Sequence, residues 1–476
     1  MISVLYWLRG SVFCGCLAAC AVGPNYVRPK PPAGAEAPLV SFSPSAESRA
    51  PPPDAWWRLY RDPVLDALLR EAFAANYDLK AAEANLSGAR AILEGARSAR
   101  LPATQVSAGG TYGRDADVDL ILELTGRKPV TDWVFDDLLD MSYEVDLFGR
   151  VRRSIEAARA NAGAVAAARD ALKVTVAAET ARAYAEVCTL GEEIAVAEHS
   201  LEVTSREEEI TAARHDAGAN SDFDVVRAQA LVAEVRATLP LLRGQRRAAL
   251  FQLAALIGHT PSAAPDNVLS CATAPRLASL VPIGDGALLL RRRPDVREAE
   301  RQLAAATAEI GVATADLYPR VRLTGLFGGI SNKIDQLGTN NAMTWGVGPA
   351  VSWQFPNIAG TVAAIHRTKS NAAAALAHFD SVVLQALKET EQALSAYTAE
   401  LDHHQELLGL QAKSQRAFDL ARTQFAAGSV SNLDLLSAEQ SLVTADALVV
   451  ASDAAVAQDE VSVFKALGGG WSGNGR

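Results

Sequence analysis

Bulky core-forming side chains are scarce: among 476 residues there are three methionines, and aromatic residues make up only 6%. About half the chain is hydrophobic (49%), but much of that share is alanine. Small side chains suit closely packed helices better than a large globular core. Positive charge is short as well, with 45 Lys and Arg against 55 Asp and Glu and a net charge of −10. That balance excludes a nucleic-acid-binding face, because a phosphate backbone demands a basic surface. Five cysteines are too few and too scattered for a disulfide framework: Cys14 and Cys16 lie in the N-terminal leader, Cys188 in a helical stretch and Cys271 in a Pro-rich loop. After the leader no run of eighteen apolar residues occurs, so no transmembrane helix is expected, and a membrane crossing would have to use strands. Catalytic motifs are missing too. Gly325-Leu326-Phe327-Gly328-Gly329 lacks the dinucleotide spacing, and there is no phosphate loop, zinc helix or nucleophile elbow. The seven histidines are dispersed, and His403-His404 reads as a pair of helix positions, not a metal site. The expectation is a protein that is not an enzyme and has no cofactor or metal.

The leader itself is informative. Met1 to Ala19 contains one Arg, an apolar stretch from Val12 and the ending Leu17-Ala18-Ala19, the pattern of a secretory signal. Cys20 follows directly and makes the segment resemble a bacterial lipobox, which implies covalent acylation of Cys20 as the first mature residue. Ala21 in place of Asp implies sorting to the outer membrane. The Pro-rich segment from Gly23 to Pro53 reads as an extended tether within residues 20–55.

Heptad patterning dominates the rest. From Gly360 to about Leu467 the chain reads as one long helical hairpin, with a seam of Leu376, Val383, Thr390, Tyr397, His404, Gln411, Phe418 and Phe425, bending at Ala427-Gly428-Ser429. A strict seven-residue repeat imposes left-handed supercoiling, and an arm of this length would reach roughly 100 Å. The same design occurs earlier. Gly218 matches Gly428, Ser221 matches Ser431, Asp224 matches Asp434 and Gly258 matches Gly468, all 210 residues apart. A constant offset through both arms indicates duplication. The organisation expected is a first repeat over 56–258, with strands about 103–113 and 140–148 and a hairpin turning at 218. A linker over 259–284 follows. The second repeat, over 285–468, has strands about 320–329 and 343–355 and a hairpin turning at 428, before a tail over 469–476.

The strands alternate in a telling way. Trp345, Val347, Val351, Trp353 and Phe355 share one face with Pro349, while Thr344, Gly346, Gly348, Ala350 and Ser352 share the other. Large apolar residues on one face and small or polar ones on the other suit a lipid-facing barrel with a watery lumen. Between the first two strands, Asp115, Asp117, Asp119, Glu123, Asp132, Asp136, Asp137 and Asp140 read as a solvated acidic loop. Four strands cannot close a barrel, and open edges are forbidden in lipid. Three chains would supply twelve.

Several segments resemble the TolC-like outer-membrane factors, in the lipoprotein branch that serves tripartite efflux systems. They are Cys20-Ala21-Val22-Gly23-Pro24-Asn25-Tyr26, Trp56-Trp57 through Asp62-Pro63, Asp146-Leu147-Phe148-Gly149-Arg150, Arg292-Arg293-Pro294-Asp295-Val296 and Lys465-Ala466-Leu467-Gly468-Gly469-Gly470-Trp471. The resemblance implies an α+β membrane protein: a homotrimer with a twelve-stranded barrel in outer-membrane lipid and a long α-barrel of coiled-coil hairpins in the periplasm. It also implies a passive conduit for small molecules such as drugs, working with a periplasmic adaptor and an inner-membrane pump of the RND type. The periplasmic gate would lie at the second hairpin tip. Leu433 matches the family's hydrophobic constriction there, with Gln424 and Phe425 just before the turn. Ser437 stands where the family has a carboxylate, a departure; Asp434, one turn earlier, either supplies the negative ring instead or, like Asp222 and Asp224, caps a helix start. Gly218, Asp222, Asp224 and Gly428 belong to the turns, and Tyr143, Trp345, Trp353 and Phe355 are the expected membrane-interface aromatics. The competing reading is a periplasmic coiled-coil adaptor or scaffold lipoprotein without a pore. A strand pair recurring once per half speaks against it.

Overall fold

The computed structural model describes residues 21–114, 124–126, 128, 131–277 and 279–469. Cys20, the leader, and Asp115, Asp117, Asp119 and Glu123 of the acidic segment lie outside the described residues. A 3-10 turn at Trp56–Tyr60 precedes helix α1 (Pro63–Ala75), where the Asp62 carboxylate accepts from the amides of Val64 and Leu65 and Pro63 occupies a position that needs no donor. Helix α2 (Tyr77–Ser98) leads into strands β2 (Ala103–Gly113) and β3 (Asp132–Val145), then into the hairpin of α3 (Arg150–Asp216) and α4 (Asp222–Leu256). The sequence then repeats with α5 (Gly286–Arg292), α6 (Pro294–Ala315), strands β5 (Arg320–Ser331) and β6 (Met343–Ser352), and the hairpin of α7 (Ala359–Ala426) and α8 (Asn432–Ala466).

The chain forms two compact units. The first, residues 1–29, 86–165 and 299–379, holds an antiparallel four-stranded sheet in the order β2-β3-β5-β6. Its register pairs Ala103 with Ser142, Glu144 with Arg322, and Thr324 with Gly348. Strand β3 starts at Asp132, not near 140, so Asp132, Asp136, Asp137 and Asp140 belong to a strand and not to a loop. The period of two continues through Asp132, Asp136 and Asp140, with Trp133, Phe135 and Leu139 on the alternate face. Carboxylates are tolerated in a strand whose second face is wet. Strand β6 ends at Ser352, which leaves Trp353 and Phe355 just beyond it, their rings stacked at 4.6 Å. The N-terminal segment also packs in this unit: Val22 N donates to Phe148 O, and the buried Arg153 donates to the carbonyls of Val22 and Gly23 and to Asn25 Oδ1.

The second unit comprises residues 30–85, 166–298 and 380–476. Trp56 stacks on Phe464 at 4.7 Å in a core that includes Leu65, Leu69, Leu253, Ile257, Leu289 and Leu394. The Pro-rich segment is not a free tether here. Strand β1 (Glu47–Ser48) pairs in parallel with β4 (Val281–Pro282), and Ala35, Leu39 and Ala46 are buried. Prolines cannot donate, and the ladder is built accordingly: Val281, Ile283 and Gly284 donate to the carbonyls of Ala46, Ser48 and Ala50.

Both hairpins turn by the same device. Gly218 and Gly428 have φ of 75° and 72°, a conformation that a side chain disfavours. The following amides return to the helix end, Ala219 N to Arg214 O at 2.8 Å and Ser429 N to Gln424 O at 2.8 Å. Capping boxes at Ser221/Asp224 and Ser431/Asp434 then restart the chain. Along the second hairpin, Val383, Thr390, Leu394, Tyr397 and Phe418 are buried, while Leu376 is exposed. Helix α8 is long and apolar enough in composition to cross a membrane, but the heptad-spaced carboxylates Glu439, Asp446, Asp453 and Glu460 face its partner helices and exclude that role.

The cysteines correct the sequence expectation. Cys188 and Cys271 form a disulfide with a Cα separation of 4.9 Å across 83 residues. Tertiary packing brings them together. Arg246 donates to the carbonyls of Val187, Leu269 and Cys271 and so straps the linker to α3. A side chain at Gly191 would collide with the Cys271 carbonyl. Closing so long a loop restricts the unfolded chain, so replacing both cysteines with serine is expected to lower stability by about 2–4 kcal/mol with unchanged helix content. Thermal unfolding followed by circular dichroism, with and without reductant, measures both.

Candidate functional site

Two features are set apart from the packed core: the faces of the sheet and the tips of the hairpins. On one face of the sheet stand Val106, Tyr112, Trp133, Leu139, Met141, Leu323, Phe327, Trp345, Val347 and Val351, all exposed, with Trp345 at 72%. The opposite face carries Gln105, Ser107, Asp136, Asp140, Glu144, Arg322, Thr324 and Thr344, together with Gly346 and Gly348. An apolar surface of this continuity is not sustained in water. Asp137 has the register of the apolar face, but its carboxylate folds onto the backbone and accepts from Gly329 N at 2.7 Å. Glu144 is held on the polar face by Arg150, whose Nε and Nη2 donate to it at 2.8 and 2.6 Å.

Aromatic rings mark both ends of the apolar face. At one end Tyr112, Trp133 and Phe135 form a chain of ring contacts at 5.5 Å each, a cluster that reading the strands from residue 140 onward missed. Toward the other end stands Tyr143, paired with Leu323, and beyond the ends of the strands Trp353 stacks on Phe355 and Phe148 on Tyr318, with Trp353 Nε1 donating to Leu317 O. Trp345 belongs to neither end: it pairs with Phe327, level with Leu139 halfway along β3. Strands β2 and β6 have no neighbour on their outer edges among the described residues.

At the second hairpin tip, Leu433 is 46% exposed and Gln424 is exposed, while the half-buried Phe425 lies under the Arg214 guanidinium at 4.1 Å. Asp434 is committed locally. Its Oδ2 accepts from Ser431 N at 3.0 Å and from Ser431 Oγ at 2.6 Å. These bonds from Ser431 hold its carboxyl below the usual range. Its position is therefore that of a helix cap, not of a free acid. Ser437 Oγ donates to Leu433 O at 2.7 Å and accepts from Arg227 Nη2 at 3.3 Å. Arg227 and Ser437 are 210 residues apart, equivalent positions of the two repeats, so the repeat offset carried the signal for this contact. At the first tip Asp224 caps in the same way and Asp222 lies 3.3 Å from His215 Nε2. Among the described residues no group of three or more His, Cys, Asp or Glu is arranged to hold a metal ion.

Residues 68–259 and 287–469 match the family model described as outer membrane efflux protein. The chain is 30% identical to the pyoverdine export outer membrane protein OpmQ of Pseudomonas putida, over 93% of this chain and 92% of the relative. Its fold is similar to that of the outer-membrane channel OprN, with a TM-score of 0.88 and 32% identity over 95% of this chain and all of that one. It is likewise similar to the open state of the MtrE outer membrane channel of Neisseria gonorrhoeae, with a TM-score of 0.81 and 27% identity over 95% of this chain and 98% of that one.

The capping geometry sets the behaviour of Asp434. A depressed carboxyl contributes to the packed tip above its ordinary pKa of 3.8, and the contribution is lost as pH falls through the lower, folded-state value. Asp434→Ala is expected to speed hydrogen exchange at the amide of Ser431, which donates to this carboxylate, near neutral pH, and Asp434→Asn to retain most of the protection. Exchange followed by mass spectrometry makes the comparison.

Proposed function

Because the chain belongs to the outer membrane efflux protein family and is an outer-membrane efflux channel subunit, we propose that three copies join their sheets into a twelve-stranded barrel. Through it, small organic molecules would leave the cell by diffusion. The observation that supports this most is the sheet itself, with an apolar outer face and two bare edges. In hydrocarbon each unpaired backbone group costs several kcal/mol, so β2 of one copy must meet β6 of the next. The dimensions agree. From Trp133 to Tyr143 the strand advances about 34 Å, or about 26 Å when tilted by about 40°, close to the roughly 25 Å apolar band of outer-membrane barrels.

The polar face then lines a watery lumen, and the helical hairpins continue the wall into the periplasm. There a periplasmic adaptor and an inner-membrane pump of the RND type would load the conduit; the protein adds no bond chemistry and uses no cofactor. Acyl chains on Cys20 would enter the inner leaflet beside the end of the barrel, a reading supported by the packing of Ala21 against Gly149 at the junction of strand and helix. Leu433, with Gln424, Phe425 and Ser437 around it, forms the constriction at the periplasmic tip, while Asp434, Asp222 and Asp224 hold the helix starts that carry it. Gly218 and Gly428 permit the turns.

Native mass spectrometry of the detergent-solubilised protein is expected to give a trimer, and planar bilayers a small, mostly closed conductance. Leu433→Ala should raise that conductance several-fold and increase antibiotic leakage into cells. A monomer without conductance would reject the barrel, and an unaltered Leu433→Ala channel would reject this tip as the gate.

A further inference from the structure

The seam of the second hairpin pairs α8 with α7 in steps of seven. Glu460 accepts from Tyr397 Oη at 3.5 Å, Asp453 Oδ1 lies 3.4 Å from His404 Nε2, and Asp446 accepts from Gln411 Nε2 at 2.8 Å. In each of these layers an acid on α8 meets a donor on α7. One step nearer the turn the same register places Glu439 opposite Phe418, which cannot donate. Glu439 is 1% exposed, and neither of its carboxylate oxygens has a hydrogen-bond partner. Its surroundings are the apolar cluster of Phe418, Leu435 and Leu442, with Val203 and Ala438 beside it.

The matching layer of the first hairpin differs. There the position equivalent to Glu439 is Gln229, whose Nε2 lies 3.4 Å from Glu208 on α3. An amide facing an acid is satisfied at any pH above the carboxylate range. A carboxyl facing a phenyl ring is tolerated only when it carries a proton, because a desolvated, unpaired charge is far more costly than a neutral acid.

We infer that Glu439 is a proton-operated latch on the second hairpin: protonated, it stays in the apolar layer and the tip remains packed; ionised, it must leave, and the layer between α7 and α8 loosens next to the constriction. The charged groups around it support this direction. Glu207 on α3 faces it and repels its ionised form. Arg206, Arg214 and Arg422 act on Glu207 and are otherwise engaged, with Glu202, the Phe425 ring and the Phe418 ring respectively. On α4, Arg227 is bonded to Ser437 and Gln229 to Glu208. On α8 itself Asp446, one heptad away, is held by Gln411. Burial first and Glu207 second raise the Glu439 carboxyl to about 7. A raised acid favours the packed tip below its ordinary pKa of 4.5 and withdraws that support as pH rises through about 7. Between pH 5 and 8 the ratio of packed to loosened tip should therefore fall by about 70-fold.

The inference rests on the tip being the gate only for its effect on flow, so motion and flow are measured separately. A spin label at S429C in the purified full-length trimer reports motion of the tip. The wild-type background is expected to become more mobile from pH 5 to 8. Glu439→Gln should stay immobile throughout, and Glu207→Gln should move the midpoint to lower pH by removing the repulsion. If Glu439→Gln follows the wild-type pH curve, or Glu207→Gln leaves the midpoint unmoved, the latch is overturned. Bilayer conductance over the same pH range separates the two readings. Label motion governed by Glu439 with a pH-independent current, and no effect of Leu433→Ala, would leave the latch standing and remove the gate. A Leu433→Ala channel that opens while Glu439→Gln behaves as wild type in both measurements would do the reverse.

Discussion

Backbone hydrogen bonding in hydrocarbon is the constraint from which the rest of this molecule follows. Four strands present an apolar face that water does not accept, and their outer edges leave a row of amides and carbonyls that lipid does not accept. The two demands have one joint solution, closure against further copies of the same sheet. Chain duplication fits that solution, since each repeat supplies one pair of strands and one helical hairpin, and a ring built from several chains is then lined by repeating units throughout.

The duplication is more than a matter of shared sequence. Both hairpins use a left-handed glycine, a returning amide and a serine–aspartate capping box, so the tips are geometrically equivalent. Their seams share a register as well: His215 and Asp222 in the first hairpin occupy the layer that Phe425 and Asn432 occupy in the second. The difference lies in what fills the layers. The first hairpin closes its tip with polar pairs, and the second with aromatic rings against a buried amide and a buried acid. Equivalent backbones with unequal side-chain satisfaction make the second tip the less secure of the two.

Much of this was legible from residue spacing, because heptads and a constant 210-residue offset are patterns within one helix or between two similar ones. The seam through Val383, Tyr397 and Phe418, both turns and the alternation along β6 are of that kind. What escaped depended on contacts between distant segments. The Cys188–Cys271 bond needs the linker to cross α3, which no local spacing encodes. The first half of β3 was hidden because Asp132, Asp136, Asp137 and Asp140 read as loop residues, although Trp133, Phe135 and Leu139 kept the period of a strand. For Asp434 the S-x-x-D spacing from Ser431 offered a cap beside a negative ring, and the bonds from Ser431 show the cap. The acidic column of α8 is heptad-spaced and was open to reading, but it acquires meaning only when paired with α7.

That column also indicates how a long coiled coil can yield at one end without coming apart. Each layer from Glu460 to Asp446 has a donor across the seam, so separating the helices there exchanges a bond within the protein for one to water and costs its net contribution at every step. At Glu439 the sign reverses. The packed layer itself holds the unsatisfied carboxyl, and separation hydrates it. With Glu439 ionised, loosening that starts at the turn is thus favoured through its layer and opposed from Gln411–Asp446 onward. The disulfide, the Arg246 strap and the Trp56–Phe464 stack hold the far end of the same unit. On the proposed latch, the first satisfied layer would act as a stop and confine motion to the few turns of helix next to the bend.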